Sequence, residues 1–124
     1  MMNKPGRSGL WRLVDATNYS VKGLAAAWRH EEGFRMECVL ATIMLPAAIW
    51  LGSNAVERCL LIIPVLLVIT VELLNSAIEA AVDRIGTTPH PLSGQAKDIG
   101  SAAVMVSMIL CLISWALIIY DRFY

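Results

Sequence analysis

The run from Val56 to Val82 is apolar enough to lie in a bilayer, yet its second half and the residues just after it, VITVELLNSAIEAAVDRIG, carry Glu72, Asn75, Ser76, Glu79 and Asp83. A backbone in lipid must satisfy its own polar groups, so an open chain of this kind crosses as helix. At about 100° per residue these five offsets fall within an arc of roughly 100°, and the side chains form one stripe on one helix face. Carboxylates at membrane depth are costly and mark a functional site by default.

Composition agrees with a membrane class: 57% of residues are hydrophobic and only 16% are charged. The length allows one domain, 1–124, with three apolar spans. Formal net charge is zero, and no Lys/Arg block or RNA-binding signature occurs, which excludes electrostatic capture of nucleic acid. Cys38, Cys59 and Cys111 are odd in number, lie in or beside apolar runs, and form neither a CxxC nor a Cys/His pair. They read as small buried hydrophobes rather than as disulfide or metal partners. Lys4 and Arg7 are followed by no apolar signal-peptide core, so the chain is expected to be retained whole.

Residues 1–9 are polar, with Pro5, Gly6 and Gly9, and are expected to fray. Over 10–30, Leu10, Trp11, Val14, Val21, Leu24, Ala25 and Trp28 recur at helical spacing opposite Arg12, Asp15, Lys22 and Arg29. This amphipathic helix suits the membrane interface, and packing on protein is the plainer alternative. HEEGFRME reads as an interruption before a first span over 34–51 that contains Pro46. Its core from Cys38 covers only ~21 Å, so residues from Phe34 onward must help it cross. A turn at Gly52, Ser53 and Asn54 leads to the second span, 56–84, with Pro64 inside. GTTPHPLSGQAK, Gly86 to Lys97, reads as a loop, and 98–120 is the third span. The small residues at its entry, Gly100, Ser101, Ala102, Ala103 and Ser107, permit close helix contact. The expected fold is an all-α membrane bundle of three transmembrane helices plus an interfacial helix.

Most basic residues precede the first span or flank the 85–97 loop, while Arg58 and Arg122 lie opposite. The positive-inside rule therefore places the N-terminus and that loop in the cytoplasm and the C-terminus outside. The apolar climb from Cys59 to Val71 is ~20 Å, which leaves Glu72 within the cytoplasmic half of the bilayer and Asp83 at its surface. A poorly solvated carboxylate at Glu72 suits general-base work on a lipid hydroxyl. Glu79, with Asn75 and either Glu31 or Glu32, offers hard oxygen ligands for Mg2+ accompanied by phosphates. Lys97 is a point charge that can hold phosphate. Such a layout fits phosphoryl transfer from a water-soluble donor to a lipid, and no GxxxxGK[ST] precedes Lys97, so the nucleotide site is not a P-loop. Plainer readings stand beside these: Glu79 and Asp83 as partners of Arg84, Arg35 or Lys97; Asn75 and Ser76 as interhelical glue; His90 as a loop residue.

ELLNSAIEAAVDRIG followed by HPLSGQAKDIGSAAV, with WRLVDATNYSVKGLAAAW and HEEGFRME upstream, resembles the prokaryotic diacylglycerol kinase family over nearly the whole chain. The resemblance implies a homotrimer in the bacterial inner membrane that uses MgATP to convert diacylglycerol to phosphatidic acid at sites shared between subunits. It makes Glu72 the catalytic base and Glu31 and Glu79 the metal ligands, supported by Asn75 and Asp83. ATP would meet Arg12, Tyr19, Glu31, Glu79, Thr88, Pro89, His90, Lys97 and Asp98. The lipid would lie along Glu72, Ser101 and Trp115, against Glu32, Phe34, Arg35 and Glu37, and near Trp50. Thr88 and Met36 depart from the acidic and polar residues common there. An undecaprenol kinase of the same family is the alternative enzyme. A small proton-coupled transporter, exchanging protons at Glu72, is the alternative of another class.

Overall fold

The computed structural model describes residues 8–124, and among them every regular element is an α-helix. Four helices follow in order: α1, Leu10–His30; α2, Glu32–Leu51; α3, Ala55–Ile85; and α4, Pro91–Phe123. The last three are long and apolar enough to cross a membrane. Most of the expected frayed start, together with Lys4 and Arg7, lies outside the described residues.

HEEGFRME is less of an interruption than its charge suggests. Only Glu31 leaves the helical conformation, at φ −118° and ψ 106°, and α2 begins at the next residue. Arg35 explains how so short a break closes: its Nη1 donates to the carbonyls of Trp28, at 2.7 Å, and Arg29, at 3.2 Å. These are carbonyls that the end of α1 leaves without helical donors. Starting at Glu32 gives α2 20 residues, or ~30 Å, enough for a hydrocarbon core.

At the far end, Asn54 caps α3 by accepting from the Glu57 amide at 2.9 Å, while the Glu57 carboxylate accepts from the Ser53 amide at 3.1 Å. This resembles a capping box with Asn in the leading place, except that the return bond reaches the amide one residue before the cap. Arg58 Nε donates 3.1 Å to the Ile49 carbonyl and closes the end of α2. Both polar ends of the α2–α3 hairpin are thus satisfied by side chains.

The expected loop over 86–97 is corrected to 86–90. Pro91 opens α4, where its missing N–H costs nothing, and His90 Nδ1 accepts from the Leu92 amide at 3.1 Å. Ser93 to Lys97 are therefore helical, which fixes the height of Lys97 relative to α3.

α3 packs on α4 and α2, and α1 makes its own smaller contact with α2. One core cluster gathers Ala41, Val65, Val68 and Cys111, and a second Ala48, Leu51 and Leu61; Trp115 packs against both. Leu112, Ile113 and Leu117 of α4 face outward. For a helix in lipid this exposure carries no hydrophobic penalty, because acyl chains are as apolar as leucine.

Candidate functional site

The α3 stripe meets α2 at Glu72. A Cβ built on Gly33 would stand 2.7 Å from Glu72 Oε1, so the carboxylate lies over the open face of a glycine in the first turn of α2. Glu79 and Glu31 both act electrostatically on Glu72, and Glu72 acts in turn on Glu37. Four carboxylates from α2, α3 and the α1–α2 break therefore share one neighbourhood.

On its other side the stripe meets α4. Asn75 and Ser76 are buried, and Asn75 Nδ2 donates to Glu79 Oε1 at 3.3 Å. Asn75 Oδ1 stands so close to Gly100 that any Cβ there would collide with it. Oδ1 and Glu37 Oε2 are buried oxygens that no protein donor reaches. Asn75 thus orients Glu79 while a glycine of α4 makes room for it, and Ser101 follows one residue on.

Nearer the end of α3, Lys97 Nζ lies 2.6 Å from Asp83 Oδ1, and the Glu79 carboxylate acts on the same ammonium group. A surface cavity of about 540 Å³ is lined there by Asp83, Thr88, Pro89, His90 and Lys97. His90 Nδ1 is committed to capping α4, which leaves Nε2 as its free ring nitrogen. Asp98 is exposed beside Lys97. The plainer expectation for Asp83, a charge partner for Lys97, is what the geometry contains.

An apolar cavity of about 430 Å³ opens between α2, α3 and α4, with Glu37 as its one charged lining residue and Met44, Val68, Cys111 and Trp115 among its walls. The Trp115 ring faces this space while its Nε1 donates to the Leu61 carbonyl at 3.0 Å. A groove of about 500 Å³ between α1 and α3 runs from Ser20 to Glu31 and Ser76.

Other expected residues are placed elsewhere. Trp50 is 17 residues along α2 from Gly33, or ~25 Å, and stands under the Arg122 guanidinium 5.5 Å away. Phe34 is buried in the packing, Glu32 is exposed, and Arg35 is occupied in capping α1. Tyr19 carries Lys22 over its ring, and Arg12 lies near the start of α1. Gly33 had no part in the sequence argument; one glycine in a polar segment gives no signal of which side chain will lie across it.

Among the described residues, no three His, Cys, Asp or Glu side chains form a group suited to holding a metal. Mg2+ ordinarily takes only one or two protein carboxylates and completes its shell with phosphates and water. Glu31 and Glu79, both near Glu72 and with Asn75 adjoining, fit that donor set in chemistry and charge.

A family model described as prokaryotic diacylglycerol kinase matches residues 18–119. Proteins named diacylglycerol kinase are similar along nearly their whole length. That of Escherichia coli K12 is 49% identical over 116 residues, covering 94% of this chain and 95% of the relative. Those of Haemophilus influenzae and Pseudomonas aeruginosa are 48% and 46% identical, covering 91% and 92% of this chain and 96% and 93% of their own.

Proposed function

The chain belongs to the prokaryotic diacylglycerol kinase family, a family of membrane lipid kinases, and on that premise we propose that it transfers the γ-phosphoryl group of ATP directly to the hydroxyl of diacylglycerol. The observation that carries this reading is the continuity of the α3 stripe. It runs from Glu72, beside the opening of α2, through Asn75 and Glu79, to the Asp83–Lys97 pair beside the polar cavity. An apolar substrate and a water-soluble one require a site with one end in each phase.

In this mechanism Glu72 accepts the proton of the lipid hydroxyl as its oxygen attacks the γ-phosphorus in line, and ADP leaves toward the cytosol. Lys97 holds phosphate, with Asp98 and the 88–90 turn toward the nucleotide. Glu31 and Glu79 would hold Mg2+, which neutralises phosphate charge when bound. Asn75 orients Glu79, and Asp83 sets the height of Lys97. The acyl chains lie along the apolar cavity past Trp115, with Ser101 and the 32–37 segment near the glycerol. Arg12 and Tyr19 reach the nucleotide, and Trp50 meets lipid at the opposite surface. The protein works as a homotrimer in the bacterial inner membrane, with its N-terminus and the turn after α3 in the cytoplasm.

The test is phosphoryl transfer in mixed micelles by the purified protein, with labelled ATP, Mg2+ and either diacylglycerol or undecaprenol. Labelled phosphatidic acid is expected. Transfer to undecaprenol alone would replace the substrate, and transfer to neither by an intact oligomer would remove the kinase reading.

A further inference from the structure

Pro64 interrupts α3 in the middle of the membrane, and α4 repairs the interruption. Proline has no N–H, so the Leu60 carbonyl, four residues earlier, loses its helical donor. A carbonyl without a donor is costly in lipid, and a neighbouring helix commonly supplies the replacement. Here Ser114 Oγ donates to the Leu60 carbonyl at 2.6 Å, and the next residue of α4, Trp115, donates through Nε1 to the Leu61 carbonyl at 3.0 Å. Pro64 and Leu61 are both buried, and Trp115 packs against both core clusters.

These bonds do more than fill valences. A proline is a site where helices commonly bend, and here the carbonyl it deprives of a donor and the next one along are held to consecutive residues of one neighbouring helix. Slippage of α3 along α4 by one residue would break both. Glu72 lies eight residues beyond Pro64, ~12 Å along the axis, and Asn75 meets Gly100 only if that register holds. We propose that Ser114, with Trp115, is a positioning latch: it pins α3 at Pro64 to α4 and so sets the placement of Glu72 for phosphoryl transfer. The proposal rests on the kinase reading for its catalytic consequence; the pinning itself does not.

The test uses the full-length protein in mixed micelles and compares Ser114→Ala, Ser114→Thr, Pro64→Ala and the Pro64→Ala/Ser114→Ala pair. Ser114→Ala should lower kcat about tenfold or more, as displacement of a reacting group does, with KM for MgATP unchanged. It should also speed amide hydrogen exchange over Glu72–Ile85. Ser114→Thr keeps a hydroxyl and should restore both readouts. In the pair, residue 64 again donates to the Leu60 carbonyl, so kcat and exchange protection should return toward wild type. A Ser114→Ala protein with wild-type kcat and exchange would overturn the latch. So would an equal loss in the pair, or lowered thermal stability with an unchanged kcat per folded protein. If the wild type transfers no phosphate to diacylglycerol, the kinase reading fails, and hydrogen exchange in the same four variants still decides the pinning.

Discussion

Glu72 and Glu79 lie two helical turns apart on one face of α3, their surroundings differ, and the proposed mechanism gives them different work. Glu72 rests over Gly33 at the α2 contact, whereas Glu79 is tethered by Asn75 and acts on Lys97. Glu72→Gln keeps size and hydrogen bonding but cannot take a proton. It should lower kcat by about 10²–10⁴, the usual range for a general base, with MgATP affinity nearly unchanged. Glu79→Gln should weaken MgATP binding and turnover together. Single-turnover rates and nucleotide titration separate the two; equal mild losses would refute the division of roles. Gly100→Ala gives a steric counterpart. Its methyl group would collide with Asn75 Oδ1, and overpacking of this kind costs about 1–3 kcal/mol. Gly94→Ala is the control, since nothing lies within 4 Å of its Cβ position. It should be neutral or slightly stabilising in thermal unfolding, and Gly100→Ala should lower both melting temperature and turnover.

Between elements, the main polar tie across the α3–α4 turn is the Asp83–Lys97 pair, and both side chains are well exposed. Exposed ion pairs contribute about 1 kcal/mol or less, so the pair positions more than it stabilises. Asp83→Asn should shift the melting temperature little. Lys97→Met should raise KM for MgATP severalfold, because it removes the charge proposed to meet phosphate; if Asp83→Asn raises KM equally, Lys97 acts through the pair rather than by itself. The start of α4 also marks what sequence could and could not supply. Its Pro, Gly and Ser content suggests a loop through Lys97, yet Pro91 is a favourable first helical residue and His90 caps it, so helix replaces loop for two turns. The stripe itself was legible, because helical periodicity alone brings five side chains to one face. The approach of Gly33 to Glu72 was not, nor was the use of Arg35 as a cap for α1. Each depends on which helix lies across which, and periodicity within one segment contains no such information.

For the whole molecule, the placement of α1 decides how many chains make a site. The groove between α1 and its own α3 begins at Ser20 and ends at Glu31. Arg12 lies eight residues before that groove, ~12 Å farther along the helix, and 19 residues before Glu31. In the proposed homotrimer, the nucleotide contact proposed for Arg12 would be made to a neighbour's site, as a closed ring of subunits in head-to-tail contact permits. Arg12→Ala and Glu72→Gln should each be nearly inactive as homo-oligomers. Mixed, dissociated and reassembled at equal ratio, they should recover about one quarter of wild-type activity, because a site pairing an intact Arg12 from one subunit with an intact Glu72 from the next forms by chance at that frequency. Sites built within single chains would recover nothing, since every chain in the mixture lacks one of the two groups. The mixing ratio sharpens the result: recovered activity should follow the product of the two fractions and peak at equal amounts, a dependence that contamination with wild-type protein would not produce.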